Sequence, residues 1–320
     1  MLSVVVPIFN EAENLESLHA RLGATLEELR PTVGECRIVY VDDGSVDASP
    51  RLMHAQAERD PRVRIVTLSR NFGHQAAIMA GLAAAEGAAV VIMDGDLQDP
   101  PEVIPDLVER WRAGAVVVKA ERRSRQDRGW RRLAFGVFHR AFSWISDLPM
   151  NGDIGVFSLL DRRAVDEVLL LPERNRFLPG LRTWIGFDQQ TVLYDRHARA
   201  GGNPKQTLTR LVRYAADAVF SFSYKPLRVM VTLGIVICAV GFVLASVYIS
   251  KRLLGIETAQ TGFTTLVTVV LFLGGIQLVA IGLLGEYLGR IYDEVKRRPL
   301  YLVKDAARRE PSRRDETPEQ

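Results

Sequence analysis

Val90-Val91-Ile92-Met93-Asp94-Gly95-Asp96-Leu97-Gln98-Asp99-Pro100-Pro101 is the stretch on which the reading of the chain turns. An apolar run stops at two carboxylates flanking a glycine, and a third carboxylate and two prolines follow. A short apolar run bounded by turn residues reads as a buried strand of a parallel sheet. Ligands of such sheets bind just beyond the carboxyl ends of the strands, which is where Asp94 and Asp96 fall. Hard divalent cations take oxygen ligands, and Mg²⁺ or Mn²⁺ shares its shell between a carboxylate or two and substrate phosphates. Asp-Gly is also an ordinary turn, so the triplet gains its weight from what surrounds it.

Upstream, the same pattern recurs. Leu2 to Ile8 reads as a first buried strand and runs into Pro7-Ile8-Phe9-Asn10-Glu11. Leu15, Leu18, Leu22, Leu26 and Leu29 then fall at helical spacing. Ile38 to Val41 is a second strand closed by Asp42-Asp43-Gly44-Ser45, and Ser49 to Arg59 is helical. Val63 to Leu68 is a third strand followed by Arg70-Asn71-Phe72-Gly73, and the small-residue helix Gln75 to Ala85 leads back to the acidic strand. Strands alternating with helices indicate an α/β, Rossmann-like layer with a mostly parallel sheet. Strand ends rich in acids and amides suit a nucleotide-sugar with a metal: carboxylates and amides grip base and ribose, while metal holds the diphosphate. No glycine-rich dinucleotide fingerprint, P-loop, nucleophile elbow or zinc-protease helix is present. The five histidines are scattered, and His74, the one beside a site loop, reads as structural or solvated.

The formal net charge of +3 and the lack of a basic, aromatic-studded stripe argue against nucleic acid as a partner. Cys36 and Cys238 lie far apart and show no metal-ligand spacing, so neither a disulfide framework nor a zinc site is expected. The chain opens directly on a strand, without a signal peptide. Beyond Leu227 the composition changes. Val229 to Ile249 carries no charge over about 21 residues, enough to cross a hydrocarbon core, and Phe263 to Leu284 repeats the pattern. Lys225, Arg228, Arg290, Lys296, Arg297 and Arg298 flank the outer ends of the pair, against Lys251 and Arg252 between them. The positive-inside rule then puts both termini in the cytoplasm of a multi-pass inner-membrane protein.

The expected organisation is a cytoplasmic catalytic domain at 1–206 and an amphipathic interface helix at 207–226. Membrane helices follow at 227–250 and 263–285, joined by an external loop at 251–262. A cytoplasmic juxtamembrane segment at 286–303 and a charged, disordered tail at 304–320 complete it. Leu211, Tyr214, Ala215, Ala218, Val219 and Phe222 share one face of the interface helix, which suits it to lie at the bilayer surface or to pack on the catalytic domain.

With these residues in view, the chain resembles the family 2 glycosyltransferases of GT-A fold, and within them the polyprenyl-phosphate group of bactoprenol glucosyltransferases and dolichol-phosphate mannose synthases. Val5 to Glu11, Asp42-Asp43-Gly44-Ser45, Arg70-Asn71-Phe72-Gly73 and Asp94 to Pro100 occur in family order, and Phe272 to Tyr292 is similar to the two-span bactoprenol branch. The resemblance implies that Pro7, Asn10, Glu11 and Asp43 line the nucleotide pocket and that Asp94, Gly95 and Asp96 hold nucleotide and metal, Mg²⁺ or Mn²⁺. It implies that Arg122 and Arg125 face phosphate, for which planar, permanently charged guanidinium groups are suited. It also implies that Arg199 and Lys205 close over the diphosphate. The proposed base of some relatives, an aspartate directly before a phenylalanine, is here Val156, which leaves Asp153 as the nearest carboxylate. Pro204-Lys205-Gln206 departs from the usual Ser-Lys-aromatic.

The activity so implied is inverting transfer of one sugar from a nucleoside diphosphate donor, UDP-glucose by preference, to polyprenyl (undecaprenyl) phosphate. GDP-mannose or a modified UDP-sugar is the alternative donor. A non-catalytic nucleotide-binding membrane scaffold is the alternative of another class, and a processive synthase lacks its Gln-x-x-Arg-Trp signature here. The resemblance further implies a homo-oligomer, a tetramer formed through the membrane helices.

Overall fold

The structure is a computed structural model and describes residues 1–122, 155–174, 176–194, 224–254 and 262–304. Seven strands form one sheet: β1 (Leu2–Ile8), β2 (Cys36–Asp42), β3 (Val63–Thr67), β4 (Ala89–Ile92), β5 (Val117–Arg122), β6 (Ser158–Asp161) and β7 (Gln189–Tyr194). Their order is β3-β2-β1-β4-β6-β5-β7. β1 pairs parallel with β2 and β4, β2 with β3, and β5 with β7, while β6 runs antiparallel between β4 and β5.

Every residue of β1 and β4 is buried, which is why both read as unbroken apolar runs. Along β1, Leu2, Val4, Val6 and Ile8 face one layer and Val5 the other, the period of two that a pleated strand imposes. The first layer is built by α1 (Ala12–Val33), whose Leu15, Leu18, Leu22, Leu26 and Leu29 are buried, with Met53 of α2 (Ser49–Arg59) and Ile104, Leu107 and Val108 of α4 (Ile104–Arg112). The second contains α3 (His74–Ala84), α5 (Arg162–Leu170) and α6 (Leu178–Trp184). α3 lies close on the sheet because it carries Gly81. A Cβ there would stand 2.2 Å from Val5 Cγ1.

Between β3 and β4 the chain crosses from one side of β1 to the other. The carboxyl ends of β1 and β4 therefore diverge into loops that leave a crevice between them, the switch point where open α/β sheets bind ligands. Pro7 suits this place: β1 pairs with β4 only as far as Val5, so the missing N–H of Pro7 costs no ladder bond on that side.

Two further helices, α7 (Lys225–Leu253) and α8 (Phe263–Val295), form a unit of their own with residues up to Arg298. Lys225–Leu244 and Phe272–Val295 are long and apolar enough to cross a membrane, and none of either stretch is buried. A core helix of a soluble protein hides such a surface. Here Val231, Ile235, Phe242, Leu278 and Ile281 are all exposed. The ring of Tyr224 lies 4.5 Å from the Arg228 guanidinium, and that of Tyr292 lies 3.9 Å from the Lys296 ammonium. Such aromatic–cation pairs suit a membrane–water boundary.

Residues 299–303, read from the sequence as the end of the juxtamembrane segment, and Lys304, read as the start of the tail, group with the sheet. Val303 forms an antiparallel bridge with Leu68, Ser69 N–H donates to Leu302 O (2.8 Å), and Lys304 N–H donates to Thr67 O (2.7 Å). Leu300, Tyr301 and Val303 pack on the second apolar layer beside Phe72. This bridged segment lies against the outer edge of the sheet just before the loop that enters the site.

Candidate active site

The loops after β1 and β2 are knitted together. Asn10 takes φ of 54°, a left-handed backbone that asparagine tolerates, and its Oδ1 accepts from Val46 N–H (2.9 Å). Asn10 N–H donates to Ser45 Oγ (3.1 Å), Glu11 N–H to Ser49 Oγ (3.0 Å), and Ser45 N–H to Asp42 Oδ1 (2.8 Å). Glu11 Oε2 accepts from Asn14 Nδ2 (2.7 Å). Gly44 allows the close crossing beneath, since a Cβ there would lie 2.6 Å from the Arg70 and Asn71 backbone.

Asp43 reaches the next loop. Its two oxygens accept from Phe72 N–H (2.7 Å) and Gly73 N–H (3.0 Å). Burial raises the Asp43 pKa, with the charge of Asp42 adding to the rise, although these two amides act in the opposite sense. Gly73, at φ of 96°, turns the chain into α3, and the first residue of that helix is His74.

His74 Nε2 donates to Asp94 Oδ1 at 2.8 Å. Burial opposes the imidazolium, yet the hydrogen bond to Asp94 and the charges of Asp94, Asp43 and Asp96 prevail and hold the His74 pKa above its ordinary value. His74, read from the sequence as structural or solvated, is half-exposed and also touches Asp94, the first carboxylate of the acidic turn. Its position directly after Arg70-Asn71-Phe72-Gly73 was the one signal available.

The acidic turn is pressed against β1. A Cβ on Gly95 would stand 2.6 Å from Ile8 Cδ1 and 3.2 Å from Pro7 O, so the glycine between the carboxylates lets the turn lie close on β1. Asp96 Oδ1 accepts from Gln98 N–H (3.1 Å), and Leu97 sits at φ of 59°, a strained value for leucine.

Asp99, only 2% exposed, anchors the far end of the turn. It accepts from the Tyr194 hydroxyl at 2.5 Å, and Arg122 reaches both, Nε to Tyr194 Oη at 3.2 Å and Nη2 to Asp99 Oδ1 at 3.4 Å. Burial raises the pKa of Asp99 and, more strongly, that of Tyr194. The pair joins the acidic turn to β7, 95 residues away, and fixes Arg122 at the end of β5. Sequence reasoning passed over Asp99 and Tyr194 as site residues.

Pro7, Asn10, Glu11, Asp43, Asp94, Gly95, Asp96 and Arg122 thus lie on the loops and strand ends at the carboxyl edge of the sheet. Asp153, Arg125, Arg199 and Lys205, like residues 207–223 of the interface helix and 305–320 of the tail, lie outside the described residues. Val156, where some relatives carry an aspartate, is buried in the second apolar layer.

Among the described residues no three His, Cys, Asp or Glu side chains converge as a cage for an ion. The donors offered are the two carboxylates of the acidic turn, one of them steadied by an imidazole. That set fits a hard divalent cation whose remaining ligands are water and substrate phosphate, and does not fit a closed structural metal.

Comparison with known proteins agrees with this geometry. Residues 3–169 match glycosyl transferase family 2, and residues 225–291 match the GtrB C-terminal hairpin. An uncharacterized glycosyltransferase of Synechocystis sp. is 43% identical over 306 residues, 95% of each chain. The SfII prophage-derived bactoprenol glucosyl transferase of Shigella flexneri is 40% identical over 311 residues, 97% of this chain and 99% of its own. Among solved structures, glucosyl-3-phosphoglycerate synthase of Mycobacterium tuberculosis with Mn²⁺, uridine diphosphate and phosphoglyceric acid aligns over 69% of this chain and 76% of its own, at 19% identity and a TM-score of 0.48. A mostly parallel sheet, an acidic turn at its switch point and a two-helix hairpin after it in sequence go together here: the chain is a glycosyltransferase of GT-A fold and belongs to glycosyl transferase family 2.

Proposed function

We propose that this enzyme transfers a single sugar from a nucleoside diphosphate-sugar, UDP-glucose by preference, to polyprenyl phosphate at the cytoplasmic face of a membrane. The observation that carries the reading is one chain with an acidic turn at a sheet switch point and two long apolar helices, none of whose membrane-length stretches is buried. A soluble acceptor gives no reason for the helices; a lipid one does. The names of relatives such as the bactoprenol glucosyl transferase of Shigella phage SfII support the same acceptor. The excess of basic residues at the outer ends of α7 and α8 over Lys251 and Arg252 between them supports this orientation.

In this mechanism Asn10, Glu11 and Asp43 shape the nucleoside end of the crevice, and Asp94 and Asp96 hold a divalent cation on the donor diphosphate. When bound, Mg²⁺ or Mn²⁺ neutralises charge that develops on the departing nucleotide. Arg122, held by Asp99 and Tyr194, presents a guanidinium to phosphate oxygens, with Arg125, Arg199 and Lys205 as further cations from the adjoining segments. The second pKa of a phosphate monoester is about 6, so the acceptor is largely an oxyanion at neutral pH. Its attack on the anomeric carbon inverts configuration and places the emphasis on orientation; Asp153 is the protein carboxylate nearest in sequence to the position used as base in some relatives.

The test is transfer from labelled UDP-glucose and GDP-mannose to undecaprenyl phosphate by the full-length protein in membranes, with Mn²⁺, Mg²⁺ or EDTA. A mild-acid-labile lipid product from UDP-glucose, lost with EDTA and in Asp96→Asn, is expected. Product from GDP-mannose alone would replace the donor. No lipid product from either would refute the reading.

A further inference from the structure

We propose that His74 is a positioning residue for the donor: it fixes the plane of the Asp94 carboxylate so that one oxygen is held by imidazole and the other is presented to the cation–nucleotide. This rests on the donor reading given above. It adds a residue outside the acidic turn and explains why α3 begins where it does.

The acidic turn restrains its own backbone but not the Asp94 side chain. Gly95 is wedged against Ile8 and Pro7 O, and Asp96 Oδ1 is engaged by Gln98 N–H. The carboxyl plane of Asp94 is left to rotate unless something outside the turn grips it. Among the described residues the grip comes from His74 Nε2, at 2.8 Å from Oδ1. A carboxylate can only accept, so Nε2 is the protonated nitrogen of the pair.

The imidazole is itself placed by a chain of restraints. Asp43 accepts from Phe72 and Gly73, the two residues before His74, and Gly73 turns the backbone at φ of 96°. Gly81 then lets α3 settle close on Val5 and Val41. The end of β2 is thereby linked through the start of α3 to the end of β4, on both sides of β1. Partners that orient a ligating carboxylate in this way are worth about 10–100-fold in metal affinity when removed.

His74 is half-exposed, its side chain 46% accessible, so its replacement leaves the core untouched. The experiment is UDP binding to the full-length protein in detergent, measured by calorimetry with and without Mn²⁺, for wild type, His74→Ala, His74→Gln and His74→Met. Glutamine and methionine match in size and helix preference, but only glutamine keeps a terminal N–H donor. Mn²⁺-dependent UDP affinity should fall about 10–100-fold in His74→Ala and His74→Met and be largely restored in His74→Gln, with unchanged melting temperatures. Affinities within about twofold of wild type in the alanine and methionine variants would overturn the proposal, as would a glutamine variant as weak as methionine. If the alanine variant does not fold, the glutamine–methionine pair decides alone. Absence of UDP binding by wild type would instead refute the donor reading, and this inference with it.

Discussion

Gly81→Ala tests whether α3, which carries His74, is seated on the sheet as tightly as the geometry says. Elsewhere in a helix interior this change stabilises by about 1 kcal/mol, because alanine restricts the unfolded chain. Here the new methyl would stand 2.2 Å from Val5 Cγ1 and 3.0 Å from Val41 Cγ2. Carbon atoms are at rest about 3.5–4.0 Å apart, so α3 or β1 must move by more than an ångström. Val5 and Val41 are wholly buried and β-branched, with little rotamer freedom to yield. Overpacking of this kind costs about 1–3 kcal/mol, and more for so close an approach, so a net loss of about 1–2 kcal/mol is expected. In a unit of this size that is a fall of roughly 2–8 °C in melting temperature. Trp111, whose indole N–H donates to Asp161, provides the fluorescence signal in the detergent-solubilised protein. Val5→Ala alone should also destabilise, by opening a cavity, whereas the double variant should be more stable than the sum of the two by about 1 kcal/mol or more. A Gly81→Ala protein that melts at or above wild type, or singles that simply add, would refute the argument.

The remaining expectations concern the site and the sheet edge. Gly95→Ala should weaken Mn²⁺-dependent UDP binding while the protein still folds, since its methyl meets the tip of Ile8 and Pro7 O and tilts the acidic turn; calorimetry identical to wild type would count against it. Asp99 has a folded pKa raised above 3.8, mainly by burial, so the stability tied to its neutral form is complete below that value and is lost as pH rises through the folded pKa. Asp99→Asn should therefore gain in melting temperature relative to wild type as pH rises from about 4 to 7, and a difference that stays flat or shrinks would show the sign to be wrong. Truncation after Arg298 should remove hydrogen-exchange protection from Ser69, whose N–H donates to Leu302 O, whereas truncation after Lys304 should leave it intact. Equal protection in both would mean that residues 299–304 do not support the sheet edge.

Sequence and structure divide the molecule along a physical line. Chain-local patterns were sufficient for β1 to β4, for α1 to α3 and for the two apolar helices. Burial on both faces writes a strand as a continuous apolar run, a helix writes its buried stripe at Leu15, Leu18, Leu22, Leu26 and Leu29, and a helix long and apolar enough to cross a membrane stands out by its unbroken apolar run. The order Asn10, Asp43, Asp94 and Asp96 along the chain was enough to put these side chains at the carboxyl ends of the strands. What came only from the tertiary structure joins residues distant in sequence. β6 enters antiparallel between β4 and β5, a choice its four residues do not encode. His74 meets Asp94 across 20 residues, and Tyr194 meets Asp99 across 95. The segment at 299–304 meets the end of β3 through backbone groups, which every residue but proline carries alike. Side-chain pattern records which face of an element is buried; the partner waiting on that face is fixed only when the sheet has closed around it.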